Sequence, residues 1–156
     1  MNTEATVKLQ CKDIKPPKAL VSELRARAQA MLEALNLNNA ELSILLCGDR
    51  TIRRLNRDYR DKDRPTDVLA FEMGEPFPGA VGVLLGDVVI SLPTAKRQAR
   101  VKDWPLVEEI TFLLAHGLLH LLGQDHRDRA QERRMEARTD LLCAAARFAG
   151  STKKYR

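Results

Sequence analysis

All three histidines of this chain lie within eleven residues, His116-Gly-Leu-Leu-His120-Leu-Leu-Gly123-Gln-Asp-His126. No other stretch restricts the fold as tightly. His116 and His120 are four apart, so on a helix they leave from one face with about 6 Å of rise between them. Ile110 to Leu122 is apolar on nearly every side, which predicts a buried helix near the centre of the molecule. Gly123 predicts its stop, because glycine enters the left-handed conformation without a Cβ penalty. The chain can then turn and bring His126 back toward the first two. An i,i+4 histidine pair alone is more often a packing feature than a metal site. A third histidine after a glycine turn alters that balance, because buried neutral imidazoles need partners and one cation supplies all three. Three imidazoles leave the fourth position of a tetrahedral ion open to solvent, the arrangement of a catalytic zinc. His116, His120 and His126 are therefore the expected ligands of one zinc ion per chain, although the same donors also accept nickel or copper.

The spacing matches the extended zinc-protease pattern H-E-x-x-H-x-x-G-x-x-H with one departure. Gly117 stands where that pattern has its glutamate general base. Without that carboxylate the motif has no group to take a proton from water for peptide hydrolysis. The reading is a metal cage without the protease chemistry.

The rest of the chain predicts the scaffold. A length of 156 residues suits one domain, 1–156, able to bury a core without staples, and 4% aromatic content makes that core aliphatic. Alternation over Thr6–Cys11 predicts a strand, and Leu20, Leu24, Ala28, Met31 and Leu35 form the apolar stripe of a helix over 18–35, with Glu23, Arg25, Arg27 and Glu33 on its solvated side. Glu41–Cys47 is a second strand. Asp49 is the expected N-cap of a helix that turns Ile52, Leu55 and Tyr59 inward. Val68–Phe71 and Val83–Ile90 are further strands, separated by the glycine- and proline-rich stretch 72–82, the best candidate for a mobile loop. Ser91 and Pro93 open a basic helix, Asp103-Trp104-Pro105 opens the histidine helix, and Asp128-x-x-Gln131 caps a last one. That last helix is expected to reach about Phe148, with Met135, Leu141, Leu142, Ala145 and Phe148 inward and a frayed basic tail over 150–156. The fold expected is a single α/β (α+β mixed) domain, a small four-stranded mixed sheet packed by about five helices.

Composition narrows the class. A net charge of +5 and an isoelectric point near 9.3 favour an acidic partner such as nucleic acid. Cys11, Cys47 and Cys143 are odd in number and form no C-x-x-C pair, so they read as unreactive or buried thiols of a reducing compartment. No basic leader and no run of 18 apolar residues is present, so a cytoplasmic protein without membrane contact is expected.

The eleven-residue stretch, read as H-G-x-L-H-L-x-G-x-D-H, resembles the signature of the YbeY-type endoribonucleases, the bacterial ribosomal RNA maturation factors. Two further stretches are similar to the same family in the same order: Leu55-Asn-Arg-Asp-Tyr-Arg60-Asp-Lys-Asp-Arg-Pro65-Thr-Asp67-Val-Leu-Ala-Phe71, and Leu85-Gly86-Asp87-Val-Val-Ile90. Two positions depart from it. Gln124 stands where an aromatic is usual and Ala70 where serine is common; neither is a metal ligand.

The resemblance implies a zinc-dependent, single-strand-specific endoribonuclease in ribosomal RNA processing, chiefly 16S 3′-end maturation and ribosome quality control. Its implied partners are single-stranded RNA, ribosomal RNA, the small ribosomal subunit and its assembly proteins. It also points to Arg60 as the catalytic guanidinium, since a planar fork matches phosphate oxygens bidentately. By sequence alone Arg60 is a surface charge. Asp87 and Asp125 are candidates to orient a histidine through its second ring nitrogen, or, for Asp87, to face RNA or a protein partner. Lys62, Arg64, Lys96, Arg97 and Arg127 are candidates to line a phosphate path. The sequence leaves open whether water or the ribose 2′-hydroxyl attacks phosphorus. Three competing readings are a ribosome-binding assembly protein with a structural metal, a metal-dependent hydrolase of another substrate, and a peptidase.

Overall fold

The computed structural model describes residues 4–73 and 83–154, with side chains to Phe148. Four strands and five helices run in the order β1 (Thr6–Lys12), α1 (Lys18–Ala34), β2 (Ala40–Cys47), α2 (Asp49–Arg60), β3 (Val68–Glu72), β4 (Val83–Ser91), α3 (Leu92–Lys102), α4 (Leu106–Leu121) and α5 (Arg129–Lys154). The sheet order is β1-β2-β4-β3. β1, β2 and β4 are parallel, joined through helices, while β3 lies antiparallel to β4 at the edge.

Strand alternation divides the sheet into two unequal faces. Val7, Leu9, Leu42, Ile44, Leu46, Val68, Val88 and Ile90 point into the main core, against α1, α3, α4 and α5. Leu45, Cys47, Leu69, Phe71 and Val89 point the other way, where among the described residues Ile52 and Leu55 of α2 pack on them and Tyr59 and Arg60 lie against Phe71. A bulge re-phases β4: Glu41 pairs Leu84 but Leu42 pairs Gly86, so Leu85 is the extra residue and joins Val88 and Ile90 on the core side. Gly86 makes this possible. Its φ is 132°, and a Cβ there would stand 2.1 Å from the Phe71 carbonyl oxygen.

α4 touches β3, β4, α1, α3 and α5, so the histidine helix is central, as its all-round apolarity implies. Several local expectations are corrected. Arg27 is 7% exposed, not solvated: its guanidinium donates to Glu23, Glu108 and Thr111, tying α1 to α4. Arg147 of α5 donates to the other Glu108 oxygen, so one carboxylate links three helices. Gly48 rather than Asp49 is the N-cap of α2. The Asp49 carboxylate accepts from Ser91, Thr94 and Arg97, joining the starts of α2 and α3. In α5 the buried stripe is Met135, Thr139, Leu142, Cys143 and Ala146; Leu141 and Phe148 are 70% and 76% exposed. A period of 3.6 selects the first set, and the two misplaced residues fall a step off it. Tyr59 is also largely exposed, set edge-on to Phe71.

The backbone of α5 continues helical to Lys154, past the expected end. The expected mobile stretch lies almost wholly within 74–82, outside the described residues. All three cysteines are free; Cys47 and Cys143 are buried but Cys11 is exposed. Burial, then the nearby Asp13 and Asp49 carboxylates, push the Cys47 thiol up to about 12. No helix among the described residues is long and apolar enough to cross a membrane.

Candidate metal centre and cleft

α4 ends as its sequence predicts. Leu122 is the C-cap and Gly123 has φ 84°. The Gly123 N–H donates to the His120 carbonyl and the Gln124 N–H to the Leu119 carbonyl, the two bonds of a Schellman turn. The loop beyond is held by Asp125. One carboxylate oxygen accepts from the His126 backbone N–H at 2.8 Å, the other from Arg127 Nε at 2.7 Å. These two bonds hold the Asp125 carboxyl below its ordinary range. Asp128 caps α5: the Gln131 N–H donates to its carboxylate, while the Gln131 side chain reaches back one residue past the capping-box position to accept from the Arg127 N–H.

The turn brings the three imidazoles together. Ring centroids are 5.8 Å apart for His116–His120, 5.7 Å for His120–His126 and 6.4 Å for His116–His126. Three rings bonded through nitrogen to one tetrahedral ion would have centroids about 5 Å apart, so the triangle is wider than a closed cage by about 1 Å. Consistent with this, no trio of His, Cys, Asp or Glu groups among the described residues stands at ligating distance as placed. The donors nevertheless fit a cation. His116 Nδ1 is buried without a hydrogen-bond partner, a cost that proteins seldom leave uncompensated. Burial first, then repulsion from His120 and His126, holds His116 below the ordinary histidine pKa, which favours the neutral ring that a metal requires.

Gly117 has a steric reason. A Cβ there would lie 2.7 Å from Val88 Cγ1 and 3.3 Å from Val68 Cγ2. The helix therefore packs directly on the sheet at the position where the protease pattern has glutamate. A carboxylate at 117 would be driven into β4 rather than toward the histidines.

His116 and His120 share a cleft of about 570 Å3 with Arg60 and the edge strand Val68–Glu72. Arg60 Nη2 donates to the Ala70 carbonyl at 2.8 Å, and its guanidinium lies 4.9 Å from the Phe71 ring centre. Helix and edge strand thus hold this arginine on the wall that carries two of the histidines.

The other candidates separate. Asp87 is exposed on the opposite face of the sheet from Val88, which touches α4, so it cannot orient a histidine. Asp125 holds the loop backbone and Arg127 instead of a ring nitrogen. Arg97 is taken by Asp49 and Thr94, and Lys96 lines a separate hollow with Arg100 and Trp104. Lys62 and Arg64 sit in the exposed loop after α2, where their backbone groups bond Asn56. Asp67 is a further residue near the cleft that local sequence pattern does not single out. Its carboxylate accepts from the Val68 N–H and from Gln98, and its charge acts on His116 to favour the protonated ring. The only sequence signal was a carboxylate at the start of the strand that backs the cleft.

Comparison with known proteins agrees with the sequence reading. The family profile described as Endoribonuclease YbeY matches residues 6–147. A protein named Endoribonuclease YbeY from Anaeromyxobacter sp. (strain Fw109-5) is 54% identical over 128 residues, 82% of this chain but 66% of that protein. The chain thus spans slightly under two thirds of that relative's length. Relatives of the same name from Aquifex aeolicus and Syntrophotalea carbinolica are 49% and 46% identical, over 76% and 85% of this chain and 78% and 91% of theirs. The solution structure of TM1509 from Thermotoga maritima shares the fold, with TM-score 0.63 at 20% identity over 88% of each chain.

Proposed function

The chain belongs to the YbeY endoribonuclease family, and from that premise we propose that it is a zinc-dependent endoribonuclease that cuts single-stranded RNA in ribosomal RNA processing, notably at the 3′ end of 16S RNA. The observation that carries this reading is the cleft wall on which His116, His120 and the Arg60 guanidinium meet, with the His126 ring 5.7 Å from that of His120. His116, His120 and His126 would hold the zinc. When bound, zinc would supply a positive charge that acidifies water and offsets charge on phosphate oxygens.

The chain's own residues prepare the rest. Burial, then His120 and His126, lower the His116 pKa, which favours the uncharged ring with its lone pair available. Arg60 is fixed by the Ala70 and Tyr59 carbonyls and the Phe71 ring, which leaves its other N–H groups for a phosphate. Negative charge gathers on those oxygens in the transition state, and a pre-positioned guanidinium stabilises it without reorganising. β3 is an edge strand, so the cleft opens along one side of the sheet, where an extended strand of RNA has access. The Gly117 packing argues against a peptidase, because the general-base position is filled by the sheet. RNA, the small ribosomal subunit and its assembly proteins remain the proposed partners, in a cytoplasmic setting.

The test is purified protein on unstructured RNA. His116→Ala should lose both bound zinc and cleavage, while Arg60→Ala should keep zinc and lose cleavage about 100-fold. Cleavage surviving in His116→Ala would end the nuclease reading. Chelation should silence the wild type and leave its far-ultraviolet circular dichroism intact. A fold that melts instead would favour a ribosome-binding protein with a structural metal.

A further inference from the structure

α2 makes limited use of its apolar residues: Ile52 and Leu55 meet the sheet, and Thr51 and Asn56 are buried beside them. Its remaining surface is mostly arginine, with Asp58 and Tyr59 also exposed. Arg50, Arg53, Arg54, Arg57 and Arg60 recur at helical spacing and fall within an arc of about 120° over about 15 Å of rise. Arg50, Arg53, Arg54 and Arg57 alone line one surface hollow of about 400 Å3. Repulsion would ordinarily disperse four guanidinium groups, and little acid is at hand to gather them. Arg53 meets Asp63 and Arg57 meets Asp58, both as exposed pairs, which contribute little. The Arg50 and Arg54 side chains have no hydrogen bond or ion pair with any described residue. Asp49, the other acid of this helix, is engaged by Ser91, Thr94 and Arg97. The ridge therefore carries uncompensated positive charge, and its last member, Arg60, is on the wall of the histidine cleft.

We propose that the outer face of α2 is a docking track for the sugar-phosphate backbone of RNA, with Arg50 and Arg54 as its principal contacts, leading the strand toward Arg60 and the cleft. This rests on the nuclease reading for the identity of the polyanion. A cleft of this size holds the nucleotides around the cut, so a long chain needs positive surface beyond it. Guanidinium groups spaced along a helix neutralise phosphates without reading bases, which suits backbone contact rather than sequence recognition.

The experiment is binding of a long and a very short single-stranded oligoribonucleotide, followed by fluorescence anisotropy over a range of salt. For the long strand, R50S/R54S should lower affinity roughly tenfold at low salt and flatten the log–log salt slope by about 1.4, two charges at about 0.7 each. The very short strand, unable to reach from cleft to ridge, should bind both proteins alike. R50K/R54K keeps the charge and should restore the slope. An unchanged slope, or an equal loss for the short strand, overturns the track. So does unaltered RNA binding with lost capture by small ribosomal subunits, which would assign the ridge to an assembled partner. The two proposals fail separately. RNA bound through the ridge but never cut defeats only the nuclease reading, whereas RNA cut normally with a wild-type slope in R50S/R54S defeats only the track.

Discussion

At the scale of single residues, Gly117 shows how packing and chemistry meet at one position. The absent side chain lets α4 approach the sheet closely enough for His116 and His120 to flank β3, and it removes the carboxylate of the protease pattern. Val88 is β-branched and fully buried, so it cannot swing aside cheaply. Gly117→Ala should therefore destabilise the protein by about 1–3 kcal/mol in urea unfolding, less any gain in helix propensity, and Val88→Ala in the same chain should recover part of that loss. A Gly117→Ala protein as stable as wild type would refute the close-contact account. Arg60 makes a related point: its functional reading depends on a backbone carbonyl ten residues away and on the ring beside it.

At the scale of elements, the end of α4 is the device that makes a site out of a helix. The turn at Gly123 requires a left-handed residue, and nothing lies within 4 Å of a Cβ built there. Gly123→Ala should therefore act through backbone strain alone, costing about 1 kcal/mol in stability. Because the turn delivers His126, affinity for the proposed zinc should fall as well, as read by competition with a chromogenic chelator. A stability loss with unaltered zinc affinity would show that the loop reaches the other rings by another route. The asymmetric sheet belongs to this scale too. Among the described residues four helices pack on one face and α2 is the helix on the other, where it presents its arginines.

For the molecule as a whole, the helical layer is held by a charge network as well as by its aliphatic core. Glu108 joins α1 and α5 through Arg27 and Arg147. Burial tends to raise its pKa, but the bonds from Arg147 and Arg27 outweigh that and hold it below its ordinary 4.5. A depressed carboxylate stabilises the fold above its unfolded pKa, and the contribution is lost as pH falls through the folded value. The thermal midpoint should therefore decline in acid below about pH 4.5, and Glu108→Gln should start lower at neutral pH but decline less steeply. Parallel curves for the two proteins would show that other carboxylates govern acid unfolding.

The order and type of the nine described elements, the turn at Gly123 and the Asp128 cap were legible in the sequence, because each depends on interactions within a few residues. The family was legible for the same reason, from the histidine stretch and two further short stretches in the same order. Local spacing gave no account of the burial of Arg27, the face of Asp87, the exposure of Leu141 and Phe148, or the part played by Asp67. Arg27 is buried by partners 81 and 84 residues away. Asp87 is turned away from the histidines by alternation after a bulge whose register is set against β2. Periodicity specifies which residues share a face, but which face meets the core is decided only when distant elements compete to cover the same apolar surface.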